Sequence, residues 1–265
     1  MILEQAMVLW NLEIKSKSYK LALSCDAVYR HARPGQFVTL HLADRCNVLL
    51  RRPFSIHRVF EVKPDQWAIE ILYKVVGPFT RALTLISEGQ PVSLMGPLGN
   101  GFHVPPEATT VYLAAGGVGV APMRFFMEDW LARGREAMDV VLFLGGRTRE
   151  DILCEADFRK MDVEVVVTTD DGSYGDQCLL TTPLEARVQR TPPDIMLACG
   201  PKGMLACVAG IASRYSISCQ VSLETMMACG MGVCLGCALP DASTPTKMLH
   251  ACMDGPVVDA GRVVW

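Results

Sequence analysis

No Lys/Arg tract longer than two residues occurs in the chain, and 28 acidic residues outnumber 25 basic ones for a formal charge of −3. Without a basic stripe to neutralise a run of phosphates, nucleic acid is not an expected partner. Long apolar runs are also missing. Uncharged stretches such as 108–123 and 225–240 are interrupted by Gly or Pro and fall short of the roughly 20 apolar residues that span a membrane. The N-terminal Met-Ile-Leu-Glu-Gln lacks the basic n-region of a secretory signal, so a cytoplasmic location is expected. His31, His41, His57, His103 and His250 form no ligand spacing, and neither a Ser-His-Asp set nor a P-loop is present. Hydrolytic chemistry is therefore not indicated. Charged residues make up only 20% of the chain and hydrophobic ones 50%. With 22 Gly and 16 Pro spread rather than pooled, the composition excludes wholesale disorder and collagen-like structure.

What is present divides into three parts, and 265 residues leave room for two domains and a short third element. Up to about residue 100, β-rich runs at 7–14, 19–24, 36–42, 54–60, 67–73 and 91–95 are separated by breakers such as Pro34-Gly35 and Pro64-Asp65. This spacing predicts a small antiparallel barrel, with one short helix over 79–87. After the loop Met95-Gly-Pro-Leu-Gly-Asn-Gly-Phe102, apolar strands at 110–115, 140–144, 163–168, 195–199 and 219–223 alternate with helical segments. That rhythm predicts a parallel sheet covered on both faces. The helix over 121–133 places Met123, Phe126, Met127, Trp130 and Leu131 on one face. A second helix over 202–214 has Leu205, Val208 and Ile211 at helical spacing. From Thr225 onward neither period persists and Gly, Cys and Met dominate. The expected boundaries are 1–103, 104–223 and 224–265.

Eleven cysteines are the strongest feature. Seven (Cys25, Cys46, Cys154, Cys178, Cys199, Cys207, Cys219) are scattered and read as small buried hydrophobes. The other four, Cys229, Cys234, Cys237 and Cys252, have the spacing C-x4-C-x2-C-x14-C. The first three intervals are those of plant-type [2Fe-2S] loops, whose glycines let backbone N–H groups reach the sulfurs. A structural zinc site is the alternative, but it prefers paired C-x2-C knuckles and only one pair exists here. Four thiolates on two irons, with no general base beside them, suit one-electron transfer.

Two segments carry nucleotide chemistry. Arg51-Arg52-Pro53-Phe54-Ser55-Ile56 offers an arginine for a pyrophosphate, an aromatic for a planar ring and a hydroxyl for a ring nitrogen. An ordinary edge strand with exposed arginines reads the same way. Ala114-Ala-Gly116-Gly117-Val-Gly119-Val-Ala-Pro122 follows a strand and opens a helix, where small residues and free N–H groups suit a dinucleotide pyrophosphate. It is not a strict G-x-G-x-x-G, and a tight strand-to-helix turn is the plainer account. Cys199-Gly200-Pro201 repeats the strand-to-turn arrangement, and Asp170-Asp-Gly-Ser173-Tyr-Gly175 forms a loop at another strand end. Arg147 leaves the choice between NAD and NADP open. A mean hydropathy of +0.25 is high for a free-standing enzyme, which points to surplus core or to apolar surface kept for a partner.

The order of these motifs resembles the ferredoxin-NADP reductase superfamily, and most closely the electron-transfer subunits of heteromeric dihydroorotate dehydrogenases. The resemblance implies an antiparallel β-barrel FAD domain, an α/β parallel-sheet NAD domain and a small C-terminal [2Fe-2S] module held by the four cysteines. It implies a hetero-oligomer with an FMN-containing dihydroorotate dehydrogenase catalytic subunit, electrons passing through the cluster and FAD to NAD⁺. By the same resemblance, Arg52, Pro53, Phe54 and Ser55, then Leu72, Tyr73 and Lys74, contact FAD. Gly116, Gly117, Gly119, Gly200 and Pro201 form the NAD site, with Cys199 near the nicotinamide. The family's Gly-x-Gly-Thr is here Gly77-Pro78-Phe79-Thr80. Phe79 is expected to crowd the FAD pyrophosphate, which weakens the assignment of Thr80. Related small subunits of NADH-dependent ferredoxin:NADP⁺ oxidoreductases and sulfide dehydrogenases share the layout but tend to replace one cysteine by Asp. A non-redox alternative is a zinc-stabilised regulatory module. Met226, Met227 and Met231 form either a docking surface or packing around the cluster.

Overall fold

The computed structural model describes residues 1–15, 17–42, 48–244 and 246–265; Cys46 lies outside them. Six strands, β1 (Ile2–Lys15), β2 (Ser18–Cys25), β3 (Phe37–His41), β4 (Arg52–Lys63), β5 (Gln66–Lys74) and β6 (Pro91–Leu98), close into a barrel. Its order is β1-β2-β5-β4-β3-β6, with every pairing antiparallel. Most strands run longer than the β-rich runs of the sequence indicate, because ladder hydrogen bonds continue past the last inward-facing side chain. Leu21, Leu23, Ile56, Ile69 and Ile71 fill the interior with Tyr29 and Leu40. Each buried Leu or Ile contributes about 1.5–3 kcal/mol. Helix α1 (Pro78–Leu83) stops short of the expected 87. There Asn11 Nδ2 donates to the carbonyls of Leu83 (2.8 Å) and Ile86 (3.1 Å), so a barrel side chain takes acceptors that a longer helix would use.

The second domain contains β7 (Val111–Gly116), α2 (Val120–Ala132), β8 (Val140–Gly146), α3 (Glu155–Arg159), β9 (Glu164–Thr169), β10 (Asp176–Gln177), α4 (Thr181–Arg190), β11 (Ile195–Cys199), α5 (Lys202–Arg214) and β12 (Ser218–Ser222). The C-terminal segment adds β13 (Ala238–Pro240), β14 (Met248–His250) and β15 (Val257–Asp259). Seven strands form one sheet in the order β10-β9-β8-β7-β11-β12-β15, parallel except for β15. Neither α3 nor α4 is legible in the sequence. The first is five residues long, and the second buries only Leu184 and Val188.

Two features join the parts. Helix α2 turns Met123, Phe126, Met127 and Trp130 into the sheet core as its periodicity predicts, but Phe125 enters the barrel core from the other side. A helix apolar nearly all round is buried on more than one face. The C-terminal segment is wedged in similarly. Strand β15 extends the sheet beside β12, while Cys237, Ala251 and Cys252 pack on Phe37, Met95 and Leu98 of the barrel. Among the described residues, no helix is long and apolar enough to cross a membrane.

Candidate functional site

The cysteine loop is built around its sulfurs. The Met231 and Cys234 amides donate to Cys229 Sγ (3.4 Å each), Gly232 N to Cys252 Sγ (3.2 Å) and Gly236 N to Cys234 Sγ (3.5 Å). Positive φ at Gly230 (73°) and Gly232 (83°) turns these amides inward, a conformation that favours glycine. Burial opposes ionisation of Cys229, but the amides of Met231 and Cys234 outweigh it and hold the thiol below its ordinary range. Cys237 and Cys252 are buried with sulfurs 3.3 Å apart, too far for a disulfide and close enough to share one inorganic core. Thiols with backbone N–H donors aimed at them fit an iron–sulfur cluster.

Two cavities adjoin at the seam between barrel and sheet. The larger, about 800 Å³, opens at the carboxyl ends of β7, β8, β9 and β11, where Gly116, Gly117, Gly200 and Pro201 form one wall and Arg147 and Asp170 the other. This is where ligands bind in open parallel sheets, and its size suits a dinucleotide. The smaller, about 300 Å³, is walled by Pro53, Phe54, Ser55, Leu72, Tyr73 and Cys199. An aromatic wall with a hydroxyl beside it fits a flavin ring. Lys74, Val118 and Glu224 line both cavities. Lys74 is held there by an ion pair with Asp151. Burial raises the carboxyl pKa of Glu224 and pushes the Cys199 thiol up to about 12.

Not every expected residue joins these walls. Gly119 lines neither cavity; a Cβ there would sit 2.2 Å from Cys199 O, so this glycine serves helix–strand packing. Phe79 lines neither cavity; its ring is buried in the barrel, with its centroid 6.1 Å from that of Phe54. Thr80 does line the smaller cavity, and its Oγ1 accepts from the amides of Val76 (2.9 Å) and Gly77 (3.0 Å). Arg52 stays at the start of β4, its guanidinium on the carbonyls of Leu50 and Arg51 (3.3 Å each). Its neighbour Arg51 clamps β3 to β6 through Thr39 and Ser93.

Sequence reasoning missed Glu224 and Phe37. The first follows a strand end directly, a usable signal, but it falls on the expected domain boundary. The second has no sequence signal. Phe37 and Met227 line the smaller cavity and also pack against the buried cysteine core, so a short side-chain layer separates the two.

Residues 224–264 match the family model described as the iron-sulfur cluster binding domain of dihydroorotate dehydrogenase B, and residues 113–210 match the oxidoreductase NAD-binding domain. The dihydroorotate dehydrogenase B (NAD(+)) electron transfer subunit of Desulforamulus reducens is 34% identical over 98% of this chain and 97% of its own length. That of Caldanaerobacter subterraneus subsp. tengcongensis is 37% identical, with 98% of each chain covered. Among solved structures, the NADH-dependent reduced ferredoxin-NADP oxidoreductase superposes with a TM-score of 0.83 at 25% identity, covering 99% of this chain and 90% of that one. A Neisseria gonorrhoeae ferredoxin NADP+ reductase with bound FAD and NADP shares the fold at a TM-score of 0.66 and 17% identity, over 80% of this chain and 91% of that one. With near-full-length identity above 30% on one side and a cysteine loop built for iron on the other, this chain belongs to the electron transfer subunits of NAD(+)-dependent dihydroorotate dehydrogenase B.

Proposed function

We propose that this chain relays electrons from an FMN-containing, dihydroorotate-oxidising catalytic subunit to NAD⁺, in the cytoplasm, as part of a hetero-oligomer that serves pyrimidine biosynthesis. Cys229, Cys234, Cys237 and Cys252 would hold a [2Fe-2S] cluster, the smaller cavity the flavin of FAD and the larger one NAD. When bound, the cluster supplies one-electron chemistry and the flavin converts it to hydride transfer. The observation that carries this reading is adjacency: the cysteine core, the small cavity and the large cavity share walls in that order.

The chain's own residues supply position and exclude water. Phe54 and Ser55 on β4 and Leu72 and Tyr73 on the neighbouring β5 line the smaller cavity together, the Phe54 and Tyr73 rings meeting edge-on with centroids 6.2 Å apart. Tyr73 is fixed by donating to Asn11 Oδ1 (3.0 Å) and by stacking on Tyr19. Cys199, neutral in its buried setting, closes the wall towards the larger cavity without adding a charge. Exposed apolar side chains around the cysteine loop, including Met226 (90%), Val233 (76%) and Leu235 (58%), suit a protein partner that dries the exit path. Met227 turns inward instead.

Asp170 is proposed to select NAD over NADP. It lines the larger cavity at the end of β9, its amide donating to Gly146 O at 3.0 Å. The Asp171 carboxylate is committed to the Ser173 amide and hydroxyl. Arg147 leans towards Asp151 at 3.5 Å. A carboxylate at this rim accepts from ribose hydroxyls and repels a 2′-phosphate. Asp170→Ser is expected to lower the NADH over NADPH preference in kcat/KM by about tenfold, the ratio that roughly 1.4 kcal/mol sets. An unchanged ratio would place the selection elsewhere.

The whole reading is tested on anaerobically purified protein. Flavin bands with a broad iron–sulfur shoulder, bleached by NADH, are expected. So is dihydroorotate-driven NAD⁺ reduction once the catalytic subunit is added. Fully loaded protein that couples to no such subunit refutes the relay.

A further inference from the structure

A second cluster of ligating side chains lies away from the cysteine loop, across the interface of barrel and sheet domain. His57 on β4, Cys154 before α3 and Asp157 on α3 place one ligand atom each within 4.8 Å of one another. His57 is fully buried. Its Nδ1 lies 3.1 Å from Ala121 O, so the N–H belongs on Nδ1 and the Nε2 lone pair faces the cluster. That lone pair has Cys154 Sγ at 3.9 Å and Glu70 Oε1 at 3.7 Å, beyond ordinary N–H···O reach. Glu70 is a buried carboxylate on β5 whose Oε2 is taken by Trp10 Nε1 at 3.3 Å, leaving Oε1 turned to His57.

We propose that His57, Cys154 and Asp157, with water as the fourth ligand, form a zinc-class divalent metal site that staples the two domains, Glu70 standing beside His57 as a neighbouring carboxylate. Tetrahedral zinc with ordinary bond lengths sets S···N at about 3.6 Å, close to the 3.9 Å between Cys154 Sγ and His57 Nε2, and the three ligand atoms already lie within 4.8 Å of one another. The charges match as well. The Cys154 thiolate and the Asp157 carboxylate balance the divalent ion, and the Lys20 ammonium, which donates to Asp157 Oδ2 at 2.7 Å, fixes that carboxylate as an outer partner does. The nearby Arg124 guanidinium is already paired with Glu128 at 2.8 Å. Binding displaces the Cys154 thiol proton to solvent, and the half-buried Cys154 and Asp157 provide the way in. The role is structural: the ligands come from β4 and the α3 region, which meet only through tertiary packing.

The probe is Zn²⁺ alone, added to protein already carrying flavin and iron and then desalted. About one zinc per chain is expected to stay bound, with a shell of one sulfur and three nitrogen or oxygen atoms at the zinc absorption edge. Tm should rise by about 5–10 °C at a hundredfold excess over Kd. Cys154→Ser and Asp157→Asn should lose the zinc and the Tm rise while keeping the flavin and iron–sulfur spectra, and Cys178→Ser should lose nothing. A four-sulfur shell would assign the zinc to the cysteine loop and overturn the proposal. So would no retained zinc, or equal zinc in wild type and Cys154→Ser.

Discussion

Cys252→Ser is expected to abolish electron flow from dihydroorotate to NAD⁺ in the assembled enzyme while leaving NADH reduction of the flavin intact. Cys252 is buried, 3.3 Å from Cys237 Sγ, and accepts from the Gly232 amide at 3.2 Å. A serine hydroxyl has no comparable affinity for iron and leaves that amide aimed at a poorer acceptor. Flux should fall by at least about 100-fold, since changes outside the ligand set alone cost about 10–100-fold. The smaller cavity does not include Cys252, so flavin content should stay near wild type. Iron content and the visible shoulder report the loss directly. Retention of both iron and flux would mean that this sulfur is not a ligand.

The second large effect is expected at Gly119, and its origin is packing rather than conformation. Its φ of −60° is open to any residue, yet a Cβ would lie 2.2 Å from Cys199 O and 2.5 Å from Cys199 C. Both sides of this contact are backbone, so Gly119→Ala must push the start of α2 away from the end of β11. Overpacking of this sort costs about 1–3 kcal/mol, and with no flexible side chain to yield, the upper end applies. A Tm drop of about 6–12 °C is expected, with NADH oxidation more than tenfold slower because Cys199 and Gly200 move with the strand. Gly117→Ala is the contrast. At φ 55° with no neighbouring atom within 4 Å, it should cost about 1–2 kcal/mol of backbone strain. If Gly117→Ala proves the more damaging change, the close approach at Gly119 is not what the motif serves.

Much of the architecture was legible because its signals are local. β-rich runs between breakers located all six barrel strands, and apolar runs such as 140–144 and 195–199 located five of the seven strands of the sheet. The cysteine spacing points to iron by itself, since three of the four cysteines share one loop and are close in sequence and in space alike. Short or weakly apolar elements escaped: α3 has five residues, and the three strands after Thr225 have three each.

What composition and spacing determined was therefore the set of parts: a barrel, a parallel sheet and a glycine-rich cysteine loop. What only the tertiary structure decided is how the parts touch. Phe37 and Met227 lie between the small cavity and the cysteines, Glu224 and Lys74 stand at the wall shared by both cavities, and His57 meets Cys154 across the domain interface. Periodicity reports which face of an element is buried, not which neighbour buries it, and residues 97 positions apart share no local pattern.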